Sequence, residues 1–128
     1  MQKNPDQQPL TPSPTPRLPL ERHCPISAAI NLMGGKYKCL ILWKLMGKTL
    51  RFSQLRREVP CATPKMLTQQ LRELETDGLI NRKIYPVIPP RVEYSLTEFG
   101  ESIRPVLESM RQWGGTYLNR QDGTTDAS

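Results

Sequence analysis

Apolar positions along the chain recur at helical spacing in several runs and alternate like a strand in one place. Behind Pro25, which suits a first helical position, Ile26, Ile30 and Met33 recur at intervals of three and four until Gly34 and Gly35, which predicts a short first helix. Residues 36–46 are apolar around most of a helical circumference, as expected of a helix buried in the middle of a small core, with Gly47 to cap it. Phe52, Leu55 and Val59 then share one face of a short helix that Pro60 stops. Thr63 as N-cap and Pro64 at the first helical position open a longer helix that runs to Asp77-Gly78.

The faces of that longer helix separate at 100° per residue. Leu67, Leu71 and Leu74 form an apolar stripe, and Lys65, Thr68, Gln69 and Arg72 cluster opposite it. Those polar types hydrogen-bond phosphates and base edges, although an ordinary solvated face would look the same. Residues 79–85 and 91–96 are β-rich, the second alternating Val92, Tyr94 and Leu96 against Arg91, Glu93 and Ser95. Joined by Pro86-Val87-Ile88-Pro89-Pro90, they predict a hairpin with Arg82, Lys83 and Arg91 on its basic edge. The fold class is therefore mainly α with a small β-hairpin wing, in the element order of a winged helix-turn-helix.

A last helix starting near Thr97 places Phe99, Ile103, Val106, Leu107, Met110, Trp113 and Tyr117 at spacings of three and four, with a local bend expected at Pro105. One small domain has too little core to cover the whole band. The expectation is a homodimer seam built from Ile103, Val106, Leu107, Met110, Trp113 and Tyr117, with Ile26 of the first helix beside it; a helix folded back on its own core is the alternative.

Composition narrows the partner. Residues 21–118 hold 15 Lys and Arg against 9 Asp and Glu, so the net charge of +6 belongs to this one expected domain. A basic domain with no bulky basic amphipathic helix favours nucleic acid over a membrane surface, and no apolar run is long enough to span a bilayer. Residues 1–20, with six prolines and a Pro16-Arg17-Leu18-Pro19 match to P-x-x-P, read as a disordered arm, and 119–128 as a polar disordered tail. Lacking the apolar stretch of an export signal, the chain is expected to be cytoplasmic and its Cys24, Cys39 and Cys61 to be free thiols. With no C-x-x-C pair and His23 as the single histidine, neither a metal site nor a cofactor is expected. No phosphate loop or nucleophile motif supports catalysis, and Glu73, Glu75 and Asp77 read as exposed acids that balance the basic face.

At this point the residues resemble the HxlR-type regulators, a branch of winged-helix proteins related to the MarR group. The likeness covers roughly residues 22–115. It rests on Cys24-Pro25, Gly34-Gly35-Lys36-Tyr37-Lys38, Arg51-Phe52-Ser53-Gln54-Leu55, the string from Pro64 to Leu74, and Tyr85-Pro86 with Pro89-Pro90-Arg91-Val92-Glu93-Tyr94-Ser95-Leu96-Thr97. It implies a symmetric dimer paired through its terminal helices on palindromic double-stranded DNA, with half-sites about one helical turn, ~10 base pairs, apart. On matching positions it assigns groove contacts to Thr63, Lys65, Met66, Thr68, Gln69 and Arg72, and backbone contacts to Arg51, Ser53, Arg82, Lys83 and Arg91.

Family members often respond to oxidants or electrophiles through a cysteine placed like Cys24. At the start of a helix opened by Pro25, near Arg22 and His23, a thiol would be favoured as thiolate. A small buried residue at the seam is the other reading of Cys24. Cys61 departs from the family, where glycine is common at that position. A small-molecule inducer at the dimer interface, or a winged helix used to bind protein, are the competing functions. The excess of eight basic over four acidic residues between positions 51 and 91 speaks for DNA.

Overall fold

The computed structural model describes residues 24–121; the expected proline-rich arm and the end of the expected tail lie outside them. The apolar run forms α2 (Lys38–Leu45), preceded by α1 (Pro25–Met33). There follow β1 (Leu50–Arg51), α3 (Phe52–Glu58), α4 (Pro64–Thr76), β2 (Ile80–Tyr85), β3 (Arg91–Leu96), α5 (Glu98–Glu101) and α6 (Arg104–Gln121). Ile41, Leu42 and Leu45 of α2 pack against Leu55 and Val59 at α3 and against Leu67, Leu71 and Leu74 of α4, all buried. Each such side chain contributes roughly 1.5–3 kcal/mol through burial, so this three-way contact holds α3 and α4 on their common support.

The sheet has the order β1-β3-β2 and is antiparallel throughout. The third strand, β1, was not expected; at two residues it is too short to show alternation. It pairs Leu50 with Tyr94 and Arg51 with Glu93, tying the start of α3 to the middle of the sheet. The turn after α4 needs Gly78, whose φ is +81°. Thr97 binds this turn to α5: its hydroxyl donates to the Gly78 carbonyl at 2.6 Å and accepts from Gly100 N–H at 2.9 Å.

The expected final helix is two helices, α5 and α6, with a break at Ser102–Ile103. Pro105 does not bend a helix; it occupies the second position of α6, where a missing N–H removes no intrahelical bond. Leu107, expected at the seam, is instead 4% exposed and closes the core beneath α6. The helix also continues to Gln121, past the expected boundary at residue 118.

Polar groups lie at the centre as well. Lys38, at the start of α2, is 2% exposed, and its ammonium sits 2.6 Å from a Glu73 carboxylate oxygen. Glu73 thus faces inward rather than belonging to an exposed acidic cluster: it lies on the flank of the leucine stripe, where α2 covers it. Beside it, buried Gln70 accepts the Tyr37 backbone N–H at 2.8 Å, and the Tyr37 hydroxyl donates to the Cys61 carbonyl at 3.0 Å. Gly35 permits this approach, since a Cβ there would come within 2.8 Å of the Gln70 amide and the Lys38 side chain. Removing one member of a buried pair strands the other charge. Glu73→Ala should therefore lower the unfolding free energy in urea by about 3–5 kcal/mol, and Lys38→Met combined with Glu73→Leu should restore most of it.

Candidate nucleic-acid interface

Helix α4 owes its position to its inner face and presents what remains. Thr63 caps it, accepting the Met66 N–H at 3.1 Å, and Pro64 follows at the first position. With Leu67, Gln70, Leu71 and Leu74 buried, Lys65, Thr68 and Arg72 are left exposed in one row. Met66 and Gln69 lie at the edges of that row, half-buried. The Gln69 amide donates to the Glu73 carboxylate at 3.4 Å, so this side chain is linked to the buried ion pair.

The strand register sorts the wing cations. Paired residues in an antiparallel sheet share a face, and so do residues two apart along a strand. Arg51 pairs with Glu93, Glu93 with Lys83, and Tyr85 with Arg91, so Arg51, Lys83 and Arg91 stand on one face. Lys83 and Arg91 both lie over the Tyr85 ring, at 5.0 and 4.9 Å from its centroid, and Arg91 reaches Glu93 at 3.5 Å. Arg82 pairs with Tyr94 and belongs to the opposite face, apart from the cations with which it was grouped on sequence. Arg51 also opens α3, its backbone N–H held by Gln54 at 2.8 Å, with Ser53 exposed beside it. Arg56 and Arg57, exposed on α3, extend the basic surface next to Ser53; they lie off the face of Phe52, Leu55 and Val59, as the spacing implies, but were not among the expected contacts.

A second surface is apolar. Ile26 is 71% and Trp113 75% exposed, and Val106, Met110 and Tyr117 are also exposed, while Ile103 is half-buried against the core. Phe99, Ile30 and Leu118 extend the exposed set beyond the residues expected there. The Trp113 and Tyr117 rings stack with centroids 6.5 Å apart. Between α1 and the α5–α6 segment lies a notch of about 210 Å³, lined by Leu32, Met33, Phe99, Ile103 and Val106 among others.

Cys24 is the N-cap residue of α1 and half-buried. Hydrogen bonding from the Ser27 side chain, then from the Ser27 and Ile26 backbone, lowers its pKa against a smaller opposing effect of burial. Arg22 and His23, also expected to favour the thiolate, lie outside the described residues. Cys39 is half-buried, its thiol 3.5 Å from the Met33 carbonyl, and burial pushes its pKa up. Cys61 is exposed just ahead of α4.

Residues 32–122 match the model of the HxlR-like helix-turn-helix family. An HTH-type transcriptional regulator of Methanothermobacter thermautotrophicus is 48% identical over 101 residues, covering 79% of this chain and 77% of the relative. Among solved structures, the HTH-type transcriptional regulator ytcD superposes with a TM-score of 0.71 at 46% identity, over 75% of this chain and 98% of its own. The reduced form of the redox regulator HypR superposes with a TM-score of 0.73 at 39% identity, over 78% and 99%.

The two shifted thiols lead to opposite pH behaviour. A lowered pKa raises the thiolate fraction at neutral pH, and a raised one reduces it. In iodoacetamide labelling of the native protein followed by peptide mass spectrometry, Cys24 should react ahead of Cys39, with its rate reaching half-maximum below the ordinary thiol range. Ser27→Ala should move the Cys24 midpoint upward, because the largest stabilising hydrogen bond is removed.

Proposed function

The chain belongs to the HxlR-like helix-turn-helix family and is a DNA-binding transcriptional regulator, and we propose that it reads operator DNA as a homodimer with α4 as its recognition helix. The observation that carries this reading is the exposed row of Lys65, Thr68 and Arg72 on a helix clamped from behind, with Arg51, Lys83 and Arg91 on one face of the adjoining sheet. In this reading α4 enters the major groove. Thr68, Gln69 and Arg72 address base edges, Met66 contacts the groove, and Thr63 and Lys65 hold the helix N-terminus against the backbone. Arg51, Ser53, Lys83 and Arg91 neutralise phosphates, and Arg82 reaches the duplex from the other face of the wing.

Two copies pair through the apolar faces of α1 and α6, with Ile26, Val106, Met110, Trp113 and Tyr117 covered and Ile103 at the margin. Leu107 has no part in this pairing, being already buried. Half-sites one helical turn apart follow from the two-fold arrangement. The signal is thiol chemistry at Cys24, supported by its N-cap position, its lowered pKa and the likeness to a redox regulator. A second reading, in which an apolar inducer acts at the seam, is favoured by one observation, the notch between α1 and α6.

The deciding experiment enriches a duplex from a randomised pool with the reduced protein, then repeats binding after diamide treatment with Cys24→Ser in parallel. Loss of binding that requires Cys24 supports the thiol signal; indifference to diamide removes it and leaves the regulator standing. Gln69→Ala should cost about 1–3 kcal/mol on the selected duplex and blur its discrimination from random DNA. Arg91→Ala should weaken both duplexes alike and reduce the slope of log affinity against log salt by about one. Trp113→Asp should give monomers in sedimentation equilibrium, by placing a carboxylate in the seam.

A further inference from the structure

The tip of the wing is left unused by the reading above. Between β2 and β3 stands Pro86-Val87-Ile88-Pro89-Pro90, in which Ile88 is 99% exposed and Val87 48%. Ile88 therefore adds nothing to the core, and its apolar surface lies wholly in water. The segment is stiff: prolines stand on both sides, with φ fixed by their rings, and the Val87 N–H donates to the Tyr85 carbonyl at 2.8 Å. Cations stand at its base, since Arg91 follows Pro90 directly and Lys83 lies at 5.0 Å over the same Tyr85 ring that Arg91 covers. Between this tip and the start of α3 runs a cleft of about 510 Å³, with Arg51 and Ser53 on one wall and Ile88 and Arg91 on the other.

A rigid apolar point set among cations is poorly matched to an apolar protein groove, where the cations would be desolvated without partners. It is well matched to a minor groove, whose rims are phosphates and whose floor is a stack of base edges. We propose that Ile88 is a wedge that enters the minor groove next to the major groove read by α4 and partly unstacks one base step, bending the operator. The sugar-phosphate strand separating the two grooves runs through the cleft, between Arg51 and Arg91. This proposal rests on the DNA reading above and adds to it a selectivity that no hydrogen bond supplies. Pyrimidine–purine steps unstack most readily, so the wedge favours them at a position where no side chain reads a base.

The test uses the full chain as wild type, Ile88→Ser and Ile88→Met, on one duplex of about 30 base pairs enriched from a randomised pool by the wild type and labelled at both ends for energy transfer. The wild type should bend it by about 20–90°. Ile88→Ser should at least halve that bend and weaken binding about tenfold, with the salt slope unchanged because no charge is lost. Ile88→Met should keep the bend, since methionine is also an apolar wedge. A straight duplex under the wild type, or equal bend and affinity for wild type and Ile88→Ser, would overturn the wedge while leaving DNA binding intact. A smaller sedimenting mass for DNA-free Ile88→Ser would also overturn it, by giving the tip to a protein contact. Failure of the wild type to enrich any duplex would remove the DNA reading and the wedge with it.

Discussion

The contact on which the outward geometry depends is the grip of the α1–α2 junction on α4. Lys38 meets Glu73, the Tyr37 backbone meets Gln70, and the Tyr37 hydroxyl meets the loop at Cys61. Leucine packing alone would hold α4 against the core while tolerating small rotations or slides, because apolar contacts are non-directional. The ion pair and the amide bond are directional and define one setting of the helix about its axis. The row formed by Lys65, Thr68 and Arg72 therefore has a definite aim, and Gly35 is required where the two segments approach most closely.

The same junction joins two surfaces of different character. Helix α1 carries Cys24 at its beginning, contributes no buried residue and ends at Gly34. From there the chain passes directly into the groups that hold α4. The apolar face of α1 and α6 and the cationic face of α4 and the wing are thus separated by one short polar connection, and that is a suitable arrangement for a regulator whose signal enters on one side and is read out on the other.

Much of this was legible in the sequence for identifiable reasons. Thr63 with Pro64, and Asp77 with Gly78, are strong stop and start signals, and α4 lies where they place it. The alternation of Val92, Tyr94 and Leu96 located β3, and Tyr94 and Leu96 do pack against the core, although Glu93 and Ser95 on the opposite face are half-buried as well. What escaped depended on three-dimensional neighbours. Lys38 sits in a mostly apolar run, and Glu73 in a helix with an apparently solvated acidic end; neither pattern reveals that the two meet. The pairing of β1 is set by a partner more than forty positions away; Arg82 parts from Lys83 because neighbours in a strand face opposite ways, which the reading of residues 79–85 as β-rich already implied. Pro105 was expected to bend one continuous helix, but α6 begins just before it, so the proline starts a helix instead of bending one. Leu107 shared the spacing of the exposed band while pointing inward, because a helix bordering both core and seam presents two apolar faces, and periodicity does not tell them apart.

The position of β3 has a mechanical consequence. As the middle strand it is bonded to β1, which runs straight into α3, and to β2, which comes directly from α4. The base of the wing is therefore tied to the helices on both sides, through Glu93 and Tyr94 to β1 and through the short turn at Gly78 to α4. A signal arriving at α1 or α6 has little to alter within a unit so tied. In the proposed dimer it would instead alter the distance and tilt between two such units, so that the pair would act as calipers on the spacing of the half-sites.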